Sequence, residues 1–190
     1  MLNIRTIAKN LFPEGNWTGI PCVIVTVVKD APEMEMNAVV KKILDFELKH
    51  ILIRGSLTQN PELVTIIAGL TNKGKLVTLV TDGDDSIESV RRYKNIRVFL
   101  RIVPPTSETN QINPKNLPLL MDSDEIKLII KNMEDYTKAK EFLKMKLITR
   151  PTVLFSLSDD TVKPLEIVEE YLKDTLKFRF KNRISKGIKL

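Results

Sequence analysis

Phe12-Pro13-Glu14-Gly15-Asn16-Trp17-Thr18-Gly19-Ile20-Pro21 runs directly into Cys22-Val23-Ile24-Val25-Thr26-Val27-Val28. Glycines and prolines punctuate the first stretch and make it a turn region, while the second is an apolar run of strand length. Outward from that strand the chain repeats one pattern. Glu33 to Lys49 sets Met36, Val39, Val40, Ile43, Leu44 and Phe46 at mostly helical spacing, with Pro32 suited to the first turn. His50 to Arg54 is a second apolar strand. Asn60, Pro61 and Glu62 supply the cap, the first-turn proline and the early acid of a helix whose buried stripe is Leu63, Ile66, Ile67 and Leu70. Gly74 stops it before a strand from Leu76 to Val80. Asp84 or Asp85 is expected to cap a shorter helix through Ile87, Val90 and Tyr93, which returns to a strand from Ile96 to Ile102.

Residues 103–122 contain Pro104, Pro105, Pro114 and Pro118 and show no period, so a long, functional or mobile loop is expected there. The alternation then resumes. Glu125 to Ile130 is a strand, Asp135 is expected to cap a helix from Tyr136 to about Lys144, and Thr152 to Leu157 is a strand. Pro164 opens a last helix to about Lys173. The chain finishes with Leu176 to Ile184, in which basic and mainly apolar residues alternate. Regular alternation of strands with helices implies an α/β fold built on a parallel sheet, either open or a partial βα barrel. Ligands of such sheets bind beyond the carboxyl ends of the strands, so the loops after Val28, Arg54, Val80 and Ile102 should line any site.

The chain has 190 residues, which suits a single domain over 1–190 able to bury roughly 70% of its unfolded surface. With 43% hydrophobic and 28% charged residues and no apolar run of membrane-spanning length, it reads as a soluble globular protein with no membrane partner. Met1 to Thr6 lacks the features of a secretory signal, and a cytoplasmic location is expected. One cysteine, Cys22, allows no internal disulfide and no thiolate metal site of its own. The net charge of +6 is uneven: the basic tail 176–190 carries six Lys and Arg from Lys177 onward and no acid, leaving 24 charges of each sign in residues 1–176. Lys177, Arg179, Lys181 and Arg183 share one face of a two-residue period. That face either protects an edge strand from pairing or contacts nucleic acid or an acidic protein surface.

Other chemistry is excluded by what the sequence lacks. No G-x-x-x-x-G-K-[ST] or G-x-G-x-x-G run exists, so Gly15 and Gly19 do not form a phosphate loop. His50 is the only histidine and sits at a strand start, which favours a structural role. Asp82, Asp84 and Asp85 cluster near a strand end, where they either bind magnesium or cap a helix.

The entry stretch resembles that of 7-carboxy-7-deazaguanine synthase, a radical S-adenosylmethionine (SAM) family whose chains open with Q-G-E-G, an aromatic residue and T-G-x-P before the first barrel strand. Glu14, Gly15, Thr18, Gly19 and Pro21 match, with Phe12 and Pro13 in place of Gln and the first Gly. The resemblance implies a parallel partial, open βα barrel of radical SAM type. It continues at Gln59, Pro61 and Glu62, at Thr81-Asp82-Gly83, at Val103-Pro104-Pro105, at Asp124-Glu125-Ile126-Lys127 with Glu134-Asp135-Tyr136, and at the terminal strand followed by Ser185-Lys186.

The resemblance also marks losses. Where the family carries C-x-x-x-C-x-x-C for an iron–sulfur cluster, this chain has Lys29-Asp30-Ala31-Pro32. Where the family holds the SAM amino group with G-G-E-P, it has Arg54-Gly55-Ser56-Leu57. Thr26 stands where the family places a carboxylate-binding Arg. The family thus implies a degenerate site with no catalytic residue, no metal ligand and no cofactor. A remnant pocket bounded by Glu14, Trp17, Gln59 and Asp82 is expected, in which Glu14 either bonds a purine-like ligand or satisfies backbone N–H groups of its turn. The expected function is that of a non-catalytic binding, scaffold or regulatory subunit with a protein partner or a second copy of itself. A nucleic-acid-binding module acting through the basic terminal strand is the alternative, and an enzyme of new chemistry in the remnant pocket a further one.

Overall fold

The computed structural model describes residues 2–55, 60–103, 112–145, 148–159 and 161–174, together with the backbone of 179–181. Nine strands form one sheet: β1 (Leu2–Leu11), β2 (Pro21–Val27), β3 (Glu33–Met34), β4 (His50–Arg54), β5 (Leu76–Thr81), β6 (Ile96–Ile102), β7 (Glu125–Ile130), β8 (Thr152–Leu157) and β9 (Arg179–Lys181). Helices α1 (Met36–Leu44), α2 (Pro61–Asn72), α3 (Glu88–Arg91), α4 (Met133–Met145) and α5 (Pro164–Lys173) connect them. The sheet order is β3-β1-β2-β4-β5-β6-β7-β8-β9, so it is open, with β3 and β9 at its edges. Every neighbouring pair from β2 to β9 is parallel. The expected α/β architecture with an open, mostly parallel sheet is therefore the architecture found. Among the described residues no helix is long and apolar enough to cross a membrane.

The two faces of the sheet have different cores, because successive side chains of a strand point to opposite sides. Val23, Val25 and Val27 of β2, Ile51 and Ile53 of β4, Val77 and Leu79 of β5 and Val98 and Leu100 of β6 pack with Val39 and Ile43 of α1, Leu63, Ile67 and Leu70 of α2 and Tyr136 of α4. The interleaved residues Cys22, Ile24, Leu52, Val80, Phe99 and Leu154 form a second, smaller cluster with Phe12, against which Trp17 packs. All the buried apolar residues of the described helices belong to the first cluster, so the second face is the concave interior of a partial barrel. Among the described residues only the 12–20 turn contributes non-strand residues to it.

Residues Leu2–Leu11 carry no expected element, yet they form the longest strand. It pairs antiparallel with β2 from Ile4 opposite Val27 to Leu11 opposite Pro21, and its register slips between Ile4 and Thr6. The slip explains the missing signal. Leu2, Ile4 and Ile7 are buried at spacings of two and then three, so the irregularity breaks the strict alternation by which a strand is read.

Three expected helix starts are corrected. Glu33 and Met34 pair with β1 instead of opening α1, and Pro32 serves that edge by accepting the Ile4 N–H at 3.0 Å. Neither Asp84 nor Asp85 caps α3, whose preceding residue is Ile87 with no side-chain cap. At α4, Asn132 Oδ1 accepts the Asp135 N–H at 2.9 Å while Asp135 Oδ2 accepts the Lys131 N–H at 3.0 Å. The cap is thus Asn132, and Asp135 reaches back from inside the first turn, as in a capping box. Asn60 does cap α2 as expected, accepting the Glu62 and Leu63 N–H groups at 2.9 and 3.2 Å.

Candidate functional site

The 12–20 turn joins β1 to β2 at the amino ends of the parallel strands. Phe12 N–H donates to Ile20 O at 2.8 Å, Gly19 N–H to Phe12 O at 3.0 Å and Ile20 N–H to Trp17 O at 3.0 Å, which closes the loop on itself. Its tip enters the concave face. Gly15 has φ 83°, and a Cβ there would lie 2.6 Å from Glu125 Oε2 and 2.9 Å from the Phe99 ring. Only glycine fits that approach.

Glu14 does not take the second of its expected roles, that of satisfying the backbone of its turn. Its carboxylate pairs with Lys127 Nζ of β7 at 2.5 Å, both side chains being largely buried. The acid that serves the turn's backbone is Glu125, whose Oε2 accepts the Asn16 N–H at 2.9 Å. Glu125 also holds Arg97 Nη2 at 2.8 Å, and the Arg97 guanidinium lies 4.2 Å from the centroid of the Trp17 ring. Trp17 meets His50 edge-on at 4.4 Å and Phe12 at 5.5 Å. His50 is therefore a packing residue. Its Nδ1 is buried without a hydrogen bond among the described residues, and burial first, then the charges of Lys49 and Arg97, lower its pKa.

At the opposite end of the strands a cleft of about 180 Å³ is bounded by residues that include Thr26, Arg54, Gly55, Thr81, Asp82 and Arg101. Arg54 Nε donates to Thr26 Oγ1 at 2.8 Å. Gly55 has φ 147°, and a Cβ there would come within 2.6 Å of Val27 O, so the two strand ends meet through a residue with no side chain. Behind Asp82 the loop is fixed by Asn116, which is fully buried. Its Nδ2 donates to Gly83 O and Asp85 O at 2.8 Å each, and its Oδ1 accepts the Ile87 N–H at 3.0 Å.

Of the four residues expected to bound one pocket, three are described, and Trp17 and Asp82 border separate clefts at opposite ends of the strands. Asp82 stands at the carboxyl-end cleft, Glu14 is tied to Lys127, and Gln59 lies outside the described residues. Trp17 borders a second cleft of about 510 Å³ at the amino ends, beside Arg91, Tyr93, Lys94 and Arg97. Of the basic tail, Arg179 and Lys181 lie in β9, while Lys177 and Arg183 fall outside the described residues. Arg97 and Arg101, which carry no sequence signal of their own, join Arg54 and Lys127 as cations of the concave face. Their positions follow only from strand register.

The donor set can be tested against the cluster and SAM that a radical SAM fold implies. The turn after β2 offers Val28, Lys29, Asp30, Ala31 and Pro32, closed by Ala31 N–H to Val28 O at 3.2 Å. Cys22 lies near the start of β2, fully buried at the far end of the strand, and burial pushes its thiol pKa up. Among the described residues no three His, Cys, Asp or Glu side chains gather as metal ligands. A cluster that needs three thiolates in that turn does not fit this chain.

No model of a known protein family matches the sequence. The chain is 27% identical over 159 residues to a 7-carboxy-7-deazaguanine synthase of Koribacter versatilis, covering 74% of this chain and 70% of the relative. Its fold matches the crystal structure of QueE from Escherichia coli with a TM-score of 0.73 at 13% identity, over 96% of this chain and 93% of that one. SuiB of Streptococcus suis bound to S-adenosylmethionine matches with a TM-score of 0.57 at 13% identity, over 82% of this chain but 45% of that one. The likeness in sequence, the matching open sheet and the entry turn lying inside it together make this chain a homologue of 7-carboxy-7-deazaguanine synthase, of radical SAM fold, with a single cysteine placed away from the loop that follows the first parallel strand.

Proposed function

We propose that this chain is a non-catalytic relative of the deazaguanine synthases, acting as a binding, scaffold or regulatory subunit. The observation that carries the reading is the position of Cys22. The one thiol in the chain is buried near the amino end of β2, and the turn at the carboxyl end, where cluster ligands would have to converge, holds a lysine, an aspartate, an alanine and a proline. The entry turn supports the same reading, since Glu14 and Asn16 engage Lys127 and Glu125 across the concave face and occupy polar groups that a substrate would otherwise meet. Anaerobic reconstitution with iron and sulfide tests the proposal. The expected result is no stoichiometric iron, no charge-transfer absorption and no 5'-deoxyadenosine from SAM, and appearance of all three would overturn it.

A further inference from the structure

Arg54 ends β4 and Arg101 is the penultimate residue of β6, and both border the cleft at the carboxyl ends of the strands. Arg54 commits one N–H, to Thr26, and is otherwise exposed. Arg101 Nε is buried and has no hydrogen-bond acceptor among the described residues. A guanidinium carries five donors in a fixed fork, and a buried donor left open costs free energy that an incoming acceptor oxygen recovers. Neither arginine is in an ion pair with a described carboxylate, although other arginines of the sheet, Arg91 and Arg97, are paired with Asp124 and Glu125.

Strand register extends the positive charge. Arg101 is opposite Lys127 of β7. Of the described residues that border the cleft Asp82 is the one acid, exposed on the rim, and Glu14 is already held by Lys127. A space of about 180 Å³ is below the roughly 300 Å³ at which pockets for drug-sized ligands begin. It suits a small group, and its open donors suit oxygen acceptors with negative charge.

We propose that the cleft between Arg54 and Arg101 binds a small oxyanion group, either a phosphate or a carboxylate. Planar forks match both groups with paired N–H···O bonds. The site goes beyond the absence of cluster chemistry: it assigns a ligand class to the strand ends, and anion binding requires neither iron nor SAM.

Calorimetric titration of the full chain with inorganic phosphate and, in a separate arm, with succinate tests it, with ionic strength held constant in chloride. Binding in at least one arm is expected, and the tighter arm identifies the group. Arg54→Gln and Arg101→Gln should each weaken it by about tenfold, from loss of charge-assisted hydrogen bonds. Lys163→Gln, on the exposed surface at the start of α5, should leave it unchanged. Asp82→Asn should tighten it about two- to threefold by removing a like charge from the rim, a gain that a damaged fold cannot produce. Absence of binding in both arms overturns the proposal, as does equal binding by the two arginine variants, an equal loss in Lys163→Gln, or no gain in Asp82→Asn. Since the protein is titrated without iron, failure here leaves the reconstitution result standing, and the reverse also holds.

Discussion

The Glu14 carboxylate lies 2.5 Å from the Lys127 ammonium, across 113 residues of sequence, and the pair ties the turn before β2 to the middle of β7. Lys127 stands on the concave face between Arg101 and Leu154, its neighbours across the sheet, and removing one partner of a mostly buried pair leaves the other charge unpaired. Glu14→Gln and Lys127→Met should each destabilise the protein by about 1–2 kcal/mol, with a coupling of about 1 kcal/mol in a double-mutant cycle. Urea unfolding of the four proteins measures this. Strict additivity would show that the turn is held by its own hydrogen bonds alone.

Asn116 organises the segment between β5 and α3 through three backbone groups and is fully buried. Asn116→Ala should cost about 2–4 kcal/mol, because the Ile87 N–H and the Asp85 carbonyl lose their partner and the Gly83 carbonyl keeps only the Asn113 N–H. Asn116→Asp should also destabilise, since a carboxylate cannot donate to those carbonyls. A thermal shift of less than a degree in both variants would contradict this role.

His50 supplies a pH dependence whose sign follows from its environment. Burial and the nearby charges of Lys49 and Arg97 lower its pKa in the folded protein, so the unfolded chain takes up the proton first as pH falls. The histidine's contribution is present above about pH 6.5 and is lost as pH falls from there toward the folded value. His50→Gln should flatten that part of the stability profile. Trp17 is the one tryptophan and meets His50 edge-on at 4.4 Å, so its fluorescence should track the same titration and lose the dependence in the variant.

Tyr136 acts at the other end of the pH scale. It is fully buried, and burial first and then its hydrogen bond to Asp174 Oδ2 at 2.7 Å push its pKa up. Above about pH 10 the unfolded chain releases the phenolic proton while the folded one retains it, so stability falls as pH rises. Tyr136→Phe should lower stability at neutral pH by about 1 kcal/mol and weaken the alkaline loss. Tyrosinate absorbance should show one of the three tyrosines ionising only with unfolding.

The buried thiol gives a kinetic readout. Cys22 is inaccessible and its pKa is raised by burial, which lowers the thiolate fraction on which reaction depends. A thiol reagent should label the native protein only at the rate of opening, and labelling should reach one equivalent at once in denaturant. Immediate reaction in buffer would place the thiol at the surface.

The sequence alone determined the order of strands and helices from Cys22 to Lys173 apart from the two-residue edge strand β3, because buried parallel strands are written as continuous apolar runs and helices as a 3.6-residue stripe. It also determined that the turn after β2 holds no thiolate, and Asn60 could be read as a cap since that chemistry is local. The tertiary structure decided what depended on distant partners. The slip at Arg5 hid β1 from any periodic reading, and pairing with β1 drew Glu33 and Met34 out of the expected helix. Asn132 and Ile87, not the nearby aspartates, stand before α4 and α3. The remnant pocket was drawn from residues that match a family motif, but Glu14 and Trp17 lie on a turn at the amino ends of the strands and Asp82 at their carboxyl ends. Arg97 and Arg101 carried no signal in the sequence, and Arg54 and Lys127 only their places beside family motifs, because a charge at one position of a strand says nothing of what stands opposite. Register across β4 to β9 brings Arg54, Arg101 and Lys127 onto one surface, and only the folded sheet fixes that register.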